Sequence, residues 1–109
     1  MPNTFKVKTK KNIGPADSAV YTCPGATATT IIGLNLANTT SGAVTSDITL
    51  LNADGDSCKI LKTAPISTGG ALVAVGGDQK LVMEAGDIIQ VKSSAASSID
   101  VTLSILEIT

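Results

Sequence analysis

Val44-Thr45-Ser46-Asp47-Ile48-Thr49-Leu50-Leu51-Asn52-Ala53-Asp54-Gly55-Asp56-Ser57-Cys58-Lys59-Ile60-Leu61-Lys62-Thr63 is the stretch that decides the fold. In an extended chain, successive side chains point to opposite faces. Residues 44–52 therefore put Val44, Ile48 and Leu50 on one face and Thr45, Asp47 and Thr49 on the other, the signature of a half-buried strand. An Asp-Gly pair follows at 54–55. Between two strand-like runs such a pair signals a hairpin, whose two-residue turn needs φ > 0 at both central positions. The returning run covers residues 57–63, and Pro65 is expected to end it because proline cannot donate to the ladder.

The same rhythm extends both ways. Toward the N-terminus, residues 4–10 alternate Phe5 and Val7 with Lys6, Lys8 and Lys10. Residues 18–23 form a second run, stopped by Pro24-Gly25. Residues 29–38 form a third, with Ile32, Leu34 and Leu36 expected inward and Gly33, Asn35 and Ala37 on the other face. Downstream, residues 71–75, 80–84 and 88–93 are separated by turns at Gly76-Gly77-Asp78 and Ala85-Gly86-Asp87. The last run, 99–109, points Ile99, Val101, Leu103 and Ile105 inward. Leu106 and Ile108 then fall on the opposite phase, which suggests a bulge or an interface there. Eight or nine short strands, no helical period and a turn every 8–12 residues predict an all-β, single-domain, two-sheet sandwich of jelly-roll type over residues 1–109, with 1–12 as an edge strand or docking arm.

Composition supports strands and neighbours. Only 16% of the 109 residues are charged, against about 25% in an ordinary domain. Hydrophobic residues make up 43% but aromatics 2%, and every positive charge is a lysine. Such a chain cannot clothe a free-standing surface in charge, so part of its exterior is expected to be covered by other subunits. A net charge of −1 announces neither a nucleic acid nor a membrane. No apolar run is long enough to span a bilayer as a helix. Met1 to Lys6 lacks the apolar core of a signal peptide, so synthesis in the cytosol without export by that route is expected.

The motifs that could carry chemistry are incomplete. With no histidine, the usual Ser-His or Cys-His relay cannot be built, so Gly55-Asp56-Ser57, which resembles the start of an esterase motif, lacks its base. Asn52-x-Asp54-x-Asp56 resembles half a calcium loop, but the required Gly and Glu positions hold Ser57 and Thr63. Glu84 and Asp87 flank a turn, and turn chemistry accounts for them better than acid–base work. Gly76-Gly77-Asp78-Gln79 lacks phosphate-loop spacing. Asn38-Thr39-Thr40 has the form of a glycosylation sequon and is read as a turn. Cys23 and Cys58 are expected as reduced thiols; a disulfide would need their Cα atoms within about 7 Å. The reading is therefore no enzyme, no catalytic residue, no metal and no cofactor.

Several stretches resemble small structural proteins of tailed bacteriophages, notably marine and cyanobacterial ones. Thr30-Ile31-Ile32-Gly33-Leu34-Asn35-Leu36-Ala37-Asn38-Thr39-Thr40 is similar to their I-GL-LAN-T strand. Ala64-Pro65-Ile66, the run from Gly76 to Asp87, and the ending from Ser93 through Val101 to Leu106-Glu107-Ile108 also fit. The likeness runs from about Tyr21 onward, in turn and strand patterns. It implies a β-sandwich virion component and leaves head, neck and tail open.

Together these readings point to a non-enzymatic virion structural protein, foremost a head decoration or cement subunit. It would be assembled in the host cytoplasm, with the major capsid protein as first partner. A homo-oligomer, with a trimer as the preferred order, is expected; a nucleic-acid or membrane partner is not. The alternatives are a neck or tail protein and, from another class, a receptor- or carbohydrate-binding module of the tail, which would have only Phe5 and Tyr21 for stacking. The interface candidates are Lys6, Lys8, Lys10 and Lys11, together with Leu106 and Ile108.

Overall fold

A computed structural model describes residues 3–75 and 80–109, and every regular element in them is a strand. The nine are β1 (Asn3–Ile13), β2 (Ser18–Thr22), β3 (Ala28–Asn38), β4 (Val44–Leu51), β5 (Ser57–Ile66), β6 (Ala71–Val75), β7 (Leu81–Met83), β8 (Ile88–Ser93) and β9 (Ile99–Ile108). One sheet runs β1-β9-β3-β6, with β7 also on β3; the other runs β2-β8-β4-β5, and all pairings are antiparallel.

The order has a simple logic. β4 and β5 form the central hairpin. Outward from it, β3 pairs with β6 and β7, β2 with β8, and β1 with β9. If β6 and β7 count as two halves of one strand along β3, this is one long hairpin rolled so that its successive pairs alternate between sheets. That is a jelly roll, so both the two-sheet sandwich and its winding agree with the sequence reading.

The inward faces of both sheets supply the core. Leu34 and Leu36 of β3 and Val101, Leu103 and Ile105 of β9 meet Ile48 of β4 and Ile89 and Val91 of β8. β4 keeps the alternation expected of it through Ile48, with Val44, Ser46 and Ile48 buried; Thr49, expected outward, is buried as well, and Leu50 is half-buried against the core. In β3 the expectation holds at Leu34 and Leu36 and fails at Ile32. Ile31, not Ile32, is fully buried, because the register against β9 shifts between Ile31 and Gly33. The extra residue is Ile32, which is half-buried. A bulge at that point flips the parity of everything before it.

Three other local readings change. The β4–β5 hairpin is present, but only Gly55 has positive φ (98°), while Asp54 does not. Gly55 N–H donates to Asn52 O (2.9 Å) and Asn52 N–H to Asp56 O (2.7 Å), the three-residue loop closed by a left-handed glycine. Pro65 lies within β5 rather than ending it, which an edge strand tolerates. Finally, β9 carries no bulge at Leu106. Its alternation continues, and the inward position after Ile105 is taken by a buried glutamate, Glu107. The turn expected at residues 76–78 lies outside the described residues.

At one end of the sandwich, two loops lock together. Asp87 accepts from Ala53 N–H (3.1 Å) and Glu84 N–H (2.9 Å), which assigns this carboxylate to turn closure. Gly86, at φ 89°, is so close to this hairpin that an added Cβ would lie 2.9 Å from the Ala53 methyl carbon. Gly86→Val therefore combines left-handed strain with a clash. It is expected to lower the unfolding free energy by roughly 2 kcal/mol or more in urea titrations, while Gly42→Ala, in open space, changes it little.

Candidate interaction face

β1 is built the wrong way round for a strand in water. Its direct partners on β9 are Lys6↔Ile105, Lys8↔Leu103 and Lys10↔Val101. Directly opposed residues share a face, so these three lysines lie on the core side of the sheet. Phe5 and Val7 point outward. Lysine can do this because its apolar stem lies along the core edge while the ammonium reaches out. Lysines facing inward on an edge strand also discourage edge-to-edge pairing with foreign chains.

Lys6 has a specific partner. Its Nζ lies 2.8 Å from Glu107 Oε1, and the other carboxylate oxygen accepts from the Tyr21 hydroxyl at 2.5 Å. Tyr21 Oη also lies 2.8 Å from Thr29 Oγ1, which in turn is 3.3 Å from Cys23 Sγ. Lys6 hydrogen bonding, followed by that of Tyr21, holds the Glu107 carboxyl below the usual range, while burial and the adjacent carboxylate push the Tyr21 phenol up. The cluster ties β1, β9 and β3 of one sheet to Tyr21 of the other, and every member has a partner. Both cysteines are free thiols, Cys23 buried and Cys58 exposed.

The two outer faces of the sandwich differ sharply. On the β2-β8-β4-β5 sheet the middle of the outer face is polar, while the partners Leu51 and Ile88, both half-buried, share that face at one end. Asp47 accepts from Thr63 N–H (2.8 Å), pairs with Lys59 (3.6 Å) and sits opposite Lys92 in register. Lys59 also donates to Thr49 Oγ1 (3.0 Å). The Thr63 amide first, and then Lys59 and its neighbours, keep the Asp47 carboxyl low.

On the other sheet, a row of direct partners crosses four strands: Phe5↔Leu106↔Thr30↔Val82. The next row is Val7↔Ser104↔Gly33, and the one after it Thr9↔Thr102↔Asn35↔Val73. None of these residues is charged. Phe5 is 74% exposed, Val73 65%, Val7 63%, Val82 60% and Ile108 38%, and these five are the exposed large hydrophobics among the described residues. They all lie on this one face. Phe5 and Val7 stand together on β1 and Val73 and Val82 on the far flank of β3, with uncharged Leu106, Thr30, Ser104, Gly33, Thr102 and Asn35 between them. Single exposed apolar residues are ordinary, whereas several on one uncharged part of a face make it a candidate contact surface.

Of the six residues singled out from the sequence, Leu106 and Ile108 lie on this apolar face. Lys6, Lys8 and Lys10 lie on the opposite side of the same sheet, and Lys11 is exposed at the register shift that ends β1. Phe5, Val7, Val73 and Val82 were not singled out. A usable signal existed: Glu107 occupies the inward phase of β9, and a lysine row could answer it. The remaining motif residues have local roles. Asn38 is buried and its side chain bonds Gly42 O, Ile66 O and Ser67 O. Asp54 and Asp56 are exposed at the hairpin tip. Among the described residues, no three His, Cys, Asp or Glu side chains gather as metal ligands.

Fold and faces together define a class, the small jelly-roll sandwich with one polar and one apolar outer sheet. No protein-family model matches the chain, and no curated protein matches it. Among solved structures, a chain in the structure of infectious bursal disease virus, Gt strain, is similar with a TM-score of 0.44 and 12% sequence identity. The alignment covers 98% of this chain and 30% of that one, so this chain spans under a third of that protein's length. At that level of similarity, no property of the viral protein transfers to this chain.

Proposed function

We propose that this chain is a non-enzymatic structural subunit of a virus particle, and more narrowly a decoration or cement subunit on the head of a tailed phage. The observation that carries the reading is the contrast between the outer faces: one sheet solvated by Asp47, Lys59 and Lys92, the other presenting Phe5, Val7, Val73 and Val82. A subunit finished by its neighbours needs such a division. The jelly-roll winding is used by viral capsid domains, and also by lectins and cupins, so the fold adds only analogy. The resemblance of residues 30–40, 64–66, 76–87, 93–101 and 106–108 to phage structural proteins favours the narrower choice. A sugar-binding role would have to rely on Phe5, since Tyr21 is buried with its hydroxyl engaged by Glu107.

Quantitative mass spectrometry of purified particles tests the reading. The expected result is this chain at a copy number comparable to the major capsid protein. A copy number far below it would assign the chain to the neck or tail, and its absence from particles would end the proposal.

A further inference from the structure

We infer that the apolar face of the β1-β9-β3-β6 sheet is the contact with a second copy of this chain, in a two-fold, face-to-face pair. The inference rests on reading that face as a subunit contact and goes on to name the occupant.

Three observations point to a like partner. The first is size. Four strands abreast, about 4.8 Å apart, and the length of β9 give a flat area of roughly 650 Å², and projecting side chains bring the accessible area near the ~800 Å² per partner typical of a stable pair. The second is charge. The three rows from Phe5 to Thr9 contain no ionisable group, and the one carboxylate on the face along β9, Asp100, stands at its end, where it accepts from Asn12 N–H and can stay at the wet rim of the contact.

The third is register. β6 and β7 lie along the same flank of β3, with Val73 level with Thr102 and Val82 level with Leu106. The middle row is Val7↔Ser104↔Gly33. A two-fold axis laid along that row exchanges the rows on either side of it. Val73 of each copy then lies over Val82 of the other, Phe5 lies over Thr9, and Val7 meets its own copy at the axis. Small residues, Ser104 and Gly33, occupy the middle of the contact, where two sheets must approach most closely. Sheets stacked with strands nearly aligned are an ordinary packing mode, and an isologous contact of this kind closes at two copies.

Sedimentation equilibrium of the purified chain should give twice the monomer mass of 10.9 kDa. Val82→Lys is expected to weaken the pair by about 30-fold or more, whereas Thr45→Lys, on the polar sheet, leaves it intact. Both positions face away from the core, and circular dichroism checks that each variant remains all-β. Stacked sheets hold facing backbones about 10 Å apart, so Val7→Cys in a Cys58→Ser background should be joined between chains by a short bismaleimide, while Thr45→Cys in that background should not. A monomer at all accessible concentrations would overturn the inference, as would a dimer indifferent to Val82→Lys or a Val7→Cys variant that fails to cross-link. These outcomes are independent of particle content: a monomer found in virions defeats only the pair, and a dimer absent from virions defeats only the virion role.

Discussion

Ile31→Ala should lower the unfolding free energy by about 3–4 kcal/mol, while Ile32→Ala should cost well under half of that. Both residues are β-branched, apolar and adjacent, and from the alternation of β3 alone the ranking would be reversed. The bulge makes the difference. Ile31 is fully buried opposite Ile105, whereas Ile32 is the residue left without a register partner on β9. Truncating Ile31 leaves a cavity between the sheets that neighbours can only partly fill, and truncating Ile32 trims a half-covered side chain. Guanidinium melts of the two variants with a common m-value decide the matter. Equal costs, or a larger one at Ile32, would mean that β3 runs through this point without the extra residue.

The second large effect is expected at Glu107. Its carboxylate is buried, paired with Lys6 and bonded by Tyr21. Glu107→Ala strands the Lys6 ammonium and removes an acceptor from a buried hydroxyl. A loss of roughly 2–3 kcal/mol at neutral pH follows from charge-assisted hydrogen bonding. It stays below the figure for a fully buried pair because Lys6 is half open to water and can turn outward. The pH dependence has a definite sign. The folded-state pKa of Glu107 is lowered, so its contribution is complete above the ordinary glutamate value of about 4.3 and disappears as pH falls through the lowered folded value. Asp47, also lowered, behaves in the same way on the other sheet. Denaturant titrations stepped from neutral toward acid should thus show wild-type stability falling, with a shallower fall in Glu107→Gln. A variant profile as steep as the wild type would exclude Glu107 as a source of that dependence.

How far could this be read from residues alone? Strand positions and sheet class followed from period-two patterns and turn residues, because both are local properties. The central hairpin was legible from Asp54-Gly55, although the turn proved to need one left-handed residue, not two. Parity was harder. Whether Ile31 or Ile32 enters the core depends on a bulge against β9, roughly seventy positions away along the chain, and no local pattern encodes it. Orientation of β1 was harder still. The alternation of Phe5 and Val7 with Lys6 and Lys8 defines two faces but not which one looks outward. Glu107 settles that from the far end of the sequence by drawing Lys6 to the core side. The exposed apolar residues of that sheet were only half visible for the same reason. Leu106 and Ile108 stood out by breaking phase, whereas Phe5, Val73 and Val82 become neighbours only once the sheet order exists.

The rolled winding also has a consequence for synthesis. β9 lies between β1 and β3, yet it is translated after all the other strands. Until it emerges, the nascent chain holds two unsatisfied ladder edges where the finished molecule has a continuous sheet, and Ile31 and Leu34 lack the cover of Leu103 and Ile105. Intermediates with bare strand edges are prone to stick to one another. A ribosome stalled ahead of residue 99 should therefore carry a protease-sensitive, chaperone-dependent chain, and protection should arrive in one late step rather than accumulate strand by strand.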